Sequence, residues 1–348
     1  MLGSYYWYFI GIFLTFFALR MCAQDQPWTW LHQKNFGVYE QARNSGRKEL
    51  IFRKANIKPF SQLVFSWNAF RPKRGHFSFF VQSHNQRTKT WGPWHKMVDW
   101  GLAIQRSYSS GASGKQQYLY VRLETGDQLS DAFCIKIVSN GGADLSLVKG
   151  LSVNVADFSK FKPELLTNHT MLLPSIYIRG VPRVSQFLVR HPNNDALCSP
   201  TACSMVTYFV RNEPVDVAQF AHNVFDQGLQ QYGSWPFNTA HAFEACAGAC
   251  RFVTARIHSF KGLHEQLCKG MPVVVSVRGK LSGAPKVYDN GHLLVVVGWD
   301  KNNKQIITHD PAARSTQAVL KKYPIKSFLA AWERSRRLAY IAQPVNLF

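Results

Sequence analysis

Hydrophobic and polar residues alternate through the first half of the chain in the way that β-strands require. Between residues 28 and 160, short runs rich in β-branched and aromatic residues are separated by Gly, Asn, Asp and Ser. In one run Leu119, Val121 and Leu123 alternate with more polar residues, as in a strand with one buried face. The pattern predicts an antiparallel, jelly-roll-like β-sandwich over 28–160. Its strands are predicted at 61–67, 76–82, 118–124, 133–138 and 151–155.

Residues 178–348 mix helical and strand periodicity and are predicted to form a second domain. The stretch before them, 161–177, contains Lys162, Pro163 and Pro174 and is predicted as a linker. Most predicted helices precede most predicted strands, which favours an α+β fold with a helix packed on an antiparallel sheet. Helices are predicted at 200–211, 216–226, 239–248, 262–269 and 325–335, and strands at 252–257, 272–277, 292–299, 305–309 and 338–342.

The N-terminus carries an apolar segment unlike the rest of the chain. Residues 5–19 contain no charged side chain and are followed by Arg20. This length is short for a membrane-spanning helix and fits the hydrophobic part of a secretion signal. We therefore predict a signal peptide or N-terminal anchor at 1–23, and an exported protein, periplasmic or extracellular, with anchoring by residues 5–19 as the alternative to cleavage.

Composition excludes a disordered chain and favours anionic partners. Of the 348 residues, 46% are hydrophobic and 18% are charged, which is typical of a globular protein. The formal net charge of +21 favours association with an anionic surface or polymer. The basic residues form no stripe with interleaved aromatic residues, so no specific nucleic acid is expected.

The spacing of cysteine and histidine indicates neither a disulfide framework nor a metal site. Seven cysteines are too few for a disulfide scaffold in a chain of this length. Cys246 and Cys250 are expected one turn apart on a helix, where they are poorly placed to form a bridge. No C-x-x-C pair occurs and the histidines are scattered. We therefore expect no metal and no cofactor.

Cys198 is predicted to lie at the start of a helix. Ser199 is suited to the N-cap and Pro200 to the first helical position. A thiol just outside the first turn lies near unpaired backbone N–H groups and the positive end of the helix dipole, which favour the thiolate. Cys203 is rotated by roughly 140° from Cys198 around the helix, so we assign it to the packed face.

A His and Asp pair follows from the spacing of two later strands. His292 begins an otherwise apolar strand just after Asn290-Gly291, and a turn signal at 300–303 separates it from the next strand. A hairpin with a three-residue loop would place His292 opposite Asp310. His309 would then lie on the other face.

Further side chains are candidates for the same site. Attack on a carbonyl needs hydrogen-bond donors for the developing oxyanion. The backbone N–H of Cys198 is one candidate, and the side-chain amide of Gln186 is the second. Trp235 and Asn238 are candidates for lining a substrate cleft.

Six motifs follow one another over about residues 178–344. They are Gly180–Gln186, Cys198–Thr201, Gly233–Asn238, Pro272–Ser276, Gly291–Gly298 and Asp310–Ala313. This ordered set resembles the C39-like cysteine peptidases of the papain-like fold. The resemblance implies Cys198 as nucleophile, His292 as base and Asp310 as orienting residue, with Gln186 in the oxyanion hole. The β-rich region before it is similar to the N-terminal domain of some exported members.

These observations predict an exported cysteine peptidase that cleaves amide bonds in a peptide or protein through a thioester acyl-enzyme. Two alternatives remain open at this point. One is an acyl transferase or cell-wall peptide amidase that uses the same three residues. The other is a non-catalytic binding protein for an anionic polymer or glycan, with Trp91, Trp94 and Trp100 as a sugar-stacking platform.

Overall fold

The computed structural model describes residues 27–37, 48–110, 117–119, 121–126, 128–164, 166 and 168–345. The predicted signal or anchor at 1–23 lies outside these residues. Among the residues that are described, no helix is both long enough and apolar enough to cross a membrane.

The N-terminal region consists of antiparallel strands arranged in two sheets. One sheet has the order β1-β11-β3-β9-β8-β7 and the other β2-β10-β4-β5-β6 within the described residues. The strands are β1 (Thr29–Asn35), β2 (Glu49–Lys54), β3 (Gln62–Ala69), β4 (His76–Asn85), β5 (His95–Gly101), β6 (Gln105–Ser107), β7 (Ser109–Ser110), β8 (Gln117–Leu119), β9 (Arg122–Glu124), β10 (Ser130–Asn140) and β11 (Val148–Ala156).

Aromatic side chains join the two sheets. The ring of Phe79 in β4 lies 5.7 Å from Phe65 and 4.4 Å from Trp67, both of which belong to β3. Trp100 lies edge-on to Trp67 at 5.6 Å and is completely buried. The expectation that Trp100 forms part of an exposed sugar-stacking platform is therefore wrong, because its ring is part of this core.

One prediction for this region needs correction. The run at 118–124 is not a single strand, because β8 and β9 pair with each other with Leu119 opposite Arg122. In β3, every residue from Gln62 to Ala69 is buried. Its second face is covered by the C-terminal region.

The C-terminal region combines helices with a second antiparallel sheet. The order of that sheet is β13-β18-β14-β15-β16-β17, and β12 pairs with β15. The helices are α1 (Asn168–Leu172), α2 (Cys198–Arg211), α3 (Val217–Val224), α4 (Trp235–Ala245), α5 (Phe260–Cys268) and α6 (Ile325–Arg334). The strands are β12 (Ile176–Tyr177), β13 (Cys250–Arg256), β14 (Val273–Gly279), β15 (Tyr288–Asp300), β16 (Gln305–His309), β17 (Leu320–Pro324) and β18 (Leu338–Pro344). The predicted mixture of helices with an antiparallel sheet is confirmed.

The end of the predicted linker belongs to the C-terminal sheet. Ile176 pairs with Trp299 and Tyr177 pairs with Gly298. The indole N–H of Trp299 also donates to the carbonyl of Leu173 at 3.0 Å. Residues 173–177 are thus fixed against β15 rather than forming a free connection.

The six described cysteines are free. Cys246 and Cys250 do not share a helix as expected, since α4 ends at Ala245 and Cys250 begins β13. Ala247 and Gly248 between them have φ values of 49° and 80°, which turn the chain from the helix into the strand.

A seam of hydrogen bonds joins the two regions at β3 and β13. The side-chain amide of Asn68 donates to the carbonyl of Phe252 at 3.0 Å and accepts the N–H of the same residue at 2.8 Å. The N–H of Thr254 donates to Ser66 Oγ at 3.0 Å. These polar side chains of β3 satisfy backbone groups that burial would otherwise leave unpaired.

Asp226 extends the seam to the loop that precedes α4. Its fully buried carboxylate accepts the backbone N–H of Ser107 at 2.9 Å and the Ser107 hydroxyl at 2.5 Å. It also accepts the N–H groups of Gly228 and Leu229 at 2.9 and 3.2 Å. A Cβ at Gly228 would lie 1.9 Å from the Ser107 carbonyl, so this approach requires glycine.

We expect Asp226→Ala to lower the free energy of unfolding by about 2 to 4 kcal/mol, because it leaves buried donors of both regions without an acceptor. Urea unfolding followed by tryptophan fluorescence measures the change. Asp226→Asn keeps the shape and one acceptor oxygen and should cost less. Equal stability of Asp226→Ala and the unsubstituted protein would contradict a tight seam.

Candidate active site

Cys198 is the first residue of α2. The N-cap is Leu197, which makes no side-chain capping bond, so the prediction that Ser199 caps the helix is wrong. Ser199 lies inside the first turn, and its hydroxyl is 3.1 Å from the hydroxyl of Tyr340. The thiol of Cys198 still lies at the positive end of a 14-residue helix, next to N–H groups that have no partner within the helix.

Cys203 lies on the packed face of the same helix, as expected. Its side chain is completely buried. Burial raises the pKa of the Cys203 thiol. This thiol is therefore neither accessible nor activated.

β15 and β16 form the predicted hairpin, but in a different register. Trp299 pairs with Ile306 rather than with Asn303, and the loop spans four residues, 301–304. His292 pairs with Val277 of β14. On its other edge, β15 pairs Val295 with His309, a register that does not place Asp310 opposite His292. The predicted pairing is therefore wrong, although the two side chains do meet.

A bulge in β15 returns Asp310 to the face that carries His292. The register shifts between Val296 and Gly298, and beyond the shift Val295 pairs with His309. Continued by one residue, this register brings Asp310 beside Leu294, which shares a face of β15 with His292. Without the shift, Asp310 would project from the opposite face.

The carboxylate of Asp310 is completely buried and accepts four hydrogen bonds. Oδ1 lies 2.7 Å from His292 Nε2 and accepts the N–H of Ala312 at 2.9 Å. Oδ2 accepts the hydroxyls of Tyr288 at 2.7 Å and Tyr323 at 2.6 Å. Burial raises the pKa of Asp310, but the charge of His292 and these hydrogen bonds outweigh it and lower the pKa to about 2.

His292 connects Asp310 to Cys198. Its Nε2 is directed at Asp310, which leaves Nδ1 as the nitrogen for the interaction with Cys198. Burial lowers the pKa of His292, whereas the charge of Asp310 and the hydrogen bonds to Asp310 and Cys198 raise it to about 9. The imidazole is therefore held in its charged form at neutral pH.

The environment of Cys198 favours its thiolate. Burial raises the pKa of the thiol, but the hydrogen bond and the charge of His292 lower it, as do the backbone N–H groups of Leu293 and Ser199. The pKa is lowered overall. A thiolate next to an imidazolium is the activated form of a cysteine nucleophile.

Gln186 is buried beside the loop that leads into α2. Its amide nitrogen donates to the carbonyls of Asn194 and Asp195 at 3.0 and 2.7 Å. Its backbone N–H donates to the carbonyl of Pro311, next to Asp310. Both amide hydrogens are thus engaged in fixing the loop, and the role of Gln186 in an oxyanion hole stays a prediction.

The two candidates for the cleft have different surroundings. Trp235 is half-buried at the start of α4. Asn238 is completely buried, and its amide donates to the carbonyls of Tyr232 and Ser234, both at 2.8 Å. The expectation that Asn238 lines an open cleft is wrong, because its side chain fixes the turn before the helix.

Tyr288 and Tyr323 are site residues that sequence reasoning missed. The ring of Tyr288 stacks on the His292 imidazole at 4.1 Å with an interplanar angle of 13°. In a straight strand the two residues would be about 13 Å apart. They meet because β15 takes four residue steps, from Tyr288 to His292, where β14 takes two, from Gly279 to Val277. The available signal was Gly291, whose φ of 87° marks this irregularity.

Comparison with known proteins relates the region around this site to a peptidase family. Residues 178–340 match the Peptidase_C39 like family. The resemblance carried by the sequence motifs is thereby confirmed for this C39-like segment. Residues 27–164 lie outside the match.

A second comparison concerns solved structures. The cysteine protease xylellain from Xylella fastidiosa is similar with 11% identity and a TM-score of 0.34, over 53% of this chain and 91% of xylellain. The search of curated proteins finds no match.

The described residues contain no group of three His, Cys, Asp or Glu side chains that could hold a metal ion.

Proposed function

We propose that the chain is a cysteine peptidase that hydrolyses peptide amide bonds. The observation that carries the proposal is that half-buried Cys198, at the start of α2, interacts with buried His292, whose Nε2 lies 2.7 Å from the carboxylate of Asp310. The family match over residues 178–340 supports the same activity. In this proposal Cys198 is the nucleophile, His292 the general acid and base, and Asp310 the residue that orients His292.

The reaction begins with attack of the Cys198 thiolate on the carbonyl carbon of the substrate. A C–S bond forms, and the negative charge moves to the carbonyl oxygen, where the N–H of Cys198 is the proposed donor. His292 then passes its Nδ1 proton to the leaving nitrogen while the C–N bond breaks. An amine leaves, and the acyl group remains on sulfur as a thioester.

Water completes the cycle. Neutral His292 accepts a proton from water as the water oxygen attacks the thioester carbon. The C–S bond breaks, the acid is released, and the thiolate and imidazolium are restored. Asp310, held by four hydrogen bonds, keeps Nε2 of the imidazole protonated throughout, so that Nδ1 is the nitrogen that exchanges the proton.

Mass spectrometry of a peptide library incubated with the full chain tests the proposal. Hydrolysis gives products with new carboxyl ends, and each cleaved bond incorporates one oxygen from labelled water. Adding a competing amine separates hydrolysis from acyl transfer, because a transferase would give the amide of that amine. Absence of both products across the library would overturn the proposed activity.

We expect the activity to depend on pH through two groups of the site. The reactive ion pair exists above the lowered pKa of Cys198 and below the pKa of His292, which is about 9. Below this window the thiolate gains a proton, and above it the imidazolium loses one. In a profile of kcat/KM against pH, the activity should fall on the alkaline side with a midpoint near pH 9. An alkaline midpoint near the unperturbed histidine pKa of about 6.5 would contradict the ion pair.

We also propose the finer features of fold and location that the sequence predicted. The jelly-roll assignment is supported by chain order, since β1 and β3 lie in one sheet while β2 and β4 lie in the other. A papain-like arrangement of 178–348 is supported by the family match.

Export is supported by the uncharged segment 5–19. Association with an anionic polymer is supported by the net charge of +21 alone.

A further inference from the structure

Two tyrosine hydroxyls meet on the side of Asp310 that faces away from His292. Both donate to Oδ2, at 2.7 Å from Tyr288 and 2.6 Å from Tyr323. Tyr288 belongs to β15 and Tyr323 to β17, so the carboxylate is held between two strands that do not pair with each other. Both tyrosine side chains are buried, at 2% and 0% exposure.

This arrangement satisfies the second oxygen of the carboxylate and also restrains its orientation. A buried carboxylate needs donors, and the N–H of Ala312 with His292 already supplies two of them on Oδ1. The hydroxyls occupy the other oxygen and thereby prevent the carboxylate from rotating away from the imidazole. They also draw negative charge towards Oδ2, because a hydrogen-bonded anion is a weaker acceptor at its remaining oxygen.

Tyr288 has a second contact that Tyr323 lacks. Its ring is stacked on the imidazole at 4.1 Å, nearly parallel. An aromatic face this close stabilises a cation and also fixes the plane of the imidazole ring. The hydroxyl and the ring of Tyr288 therefore act on His292 in different ways, the first through Asp310 and the second directly.

We propose that Tyr288 and Tyr323 are positioning residues that fix Asp310 against the imidazole of His292 and share its negative charge. The proposal rests on the role of His292 in the proposed function. His292 must both hold a proton beside the thiolate and release it to the leaving amine. A carboxylate whose full charge faced the imidazole would stabilise the imidazolium further and slow the release of its Nδ1 proton.

Tyr288→Phe and Tyr323→Phe each remove one hydroxyl while keeping the ring. Because Asp310 is completely buried, no solvent replaces the lost donor, and more of its charge is left for His292. We expect the pKa of His292 to rise by about 0.5 to 1 unit in each variant. NMR titration of the full chain with labelled histidine measures this directly, with the His292 signal assigned by its absence in His292→Ala.

The same substitutions in an Asp310→Ala background separate positioning from general packing. If the tyrosines act through Asp310, each hydroxyl should then have no effect on the His292 titration. Tyr108→Phe is the matched control, because its hydroxyl also donates to a buried carboxylate, Asp99 at 2.5 Å, in the N-terminal region. It should leave His292 unchanged.

Tyr288→Leu removes the stacked ring together with the hydroxyl. The pKa of His292 should be lower in this variant than in Tyr288→Phe, because the cation loses its aromatic neighbour. No rise in either Phe variant, or a rise that persists in the Asp310→Ala background, would overturn the proposal. Since the titration does not depend on turnover, the expected shifts without peptide cleavage would uphold the positioning role and reject the proposed peptidase.

Discussion

Cys198→Ala is expected to abolish peptide hydrolysis, with a fall in kcat/KM on the order of 10⁴-fold or more. The sulfur forms the bond that carries the acyl group, and no other group of the site can replace it. The thiolate is favoured here by His292 and by the N–H groups of Leu293 and Ser199. Covalent labelling with an acyl-type electrophile should disappear in the same variant, as measured by intact-protein mass spectrometry.

Cys203→Ala is the matched control for this experiment. Cys203 lies on the same helix but is completely buried, and burial raises the pKa of its thiol. The variant should keep both labelling and most of the activity. Labelling that persists at full stoichiometry in Cys198→Ala would show that another thiol reacts and would reject Cys198 as the nucleophile.

The sequence predicts the secondary structure of the C-terminal region well where a pattern is strong and local. The predicted strand 305–309 agrees with β16, and the helix predicted at 325–335 agrees with α6 within one residue. β17 was missed because Lys321 and Lys322 interrupt its apolar pattern. β1 and β2 in the N-terminal region were missed for a similar reason, since both have strongly polar sequences. Exposed residues alternate with half-buried ones in β1 and with buried ones in β2.

The hydrophobic periodicity of the sequence does not predict contacts between the two regions. Asn68 and Ser66 look like polar residues on the exposed face of β3, yet both are buried against β13. A polar side chain that bonds to a backbone carbonyl or N–H far away in sequence has the same local pattern as one that faces water. Only the tertiary arrangement distinguishes the two.

The three residues that the sequence analysis brought together do meet, but through a strand register that differs from the predicted one. Cys198, His292 and Asp310 come together, although the predicted register of the hairpin is wrong. The prediction rested on the chain order of these residues and on a histidine at the start of a predicted apolar strand. The bulges themselves were not predicted, because one extra residue changes which face a side chain occupies without changing composition. Tyr288 was missed for this reason, and Tyr323 was missed because β17 was not predicted.

His292→Ala is expected to reduce kcat/KM by a factor similar to that of Cys198→Ala, about 10⁴-fold. The substitution removes the group that holds the proton beside the thiolate and gives it to the leaving amine. It also removes the main contribution that lowers the pKa of Cys198, so burial would then raise that pKa. Alkylation of Cys198 by iodoacetamide at neutral pH should slow accordingly, which provides a readout without substrate.

The double variant Cys198→Ala/His292→Ala distinguishes a catalytic unit from two independent effects. If the two residues act on one proton and one bond, the double variant should retain the same residual activity as either single variant. His222→Ala is the control, because His222 is exposed on α3, and it should leave both turnover and alkylation unchanged. If His292→Ala kept more than about a tenth of the activity, Cys198 would have another base. The ion pair with Asp310 at 2.7 Å would then serve only to fix β15 to the residue that follows β16.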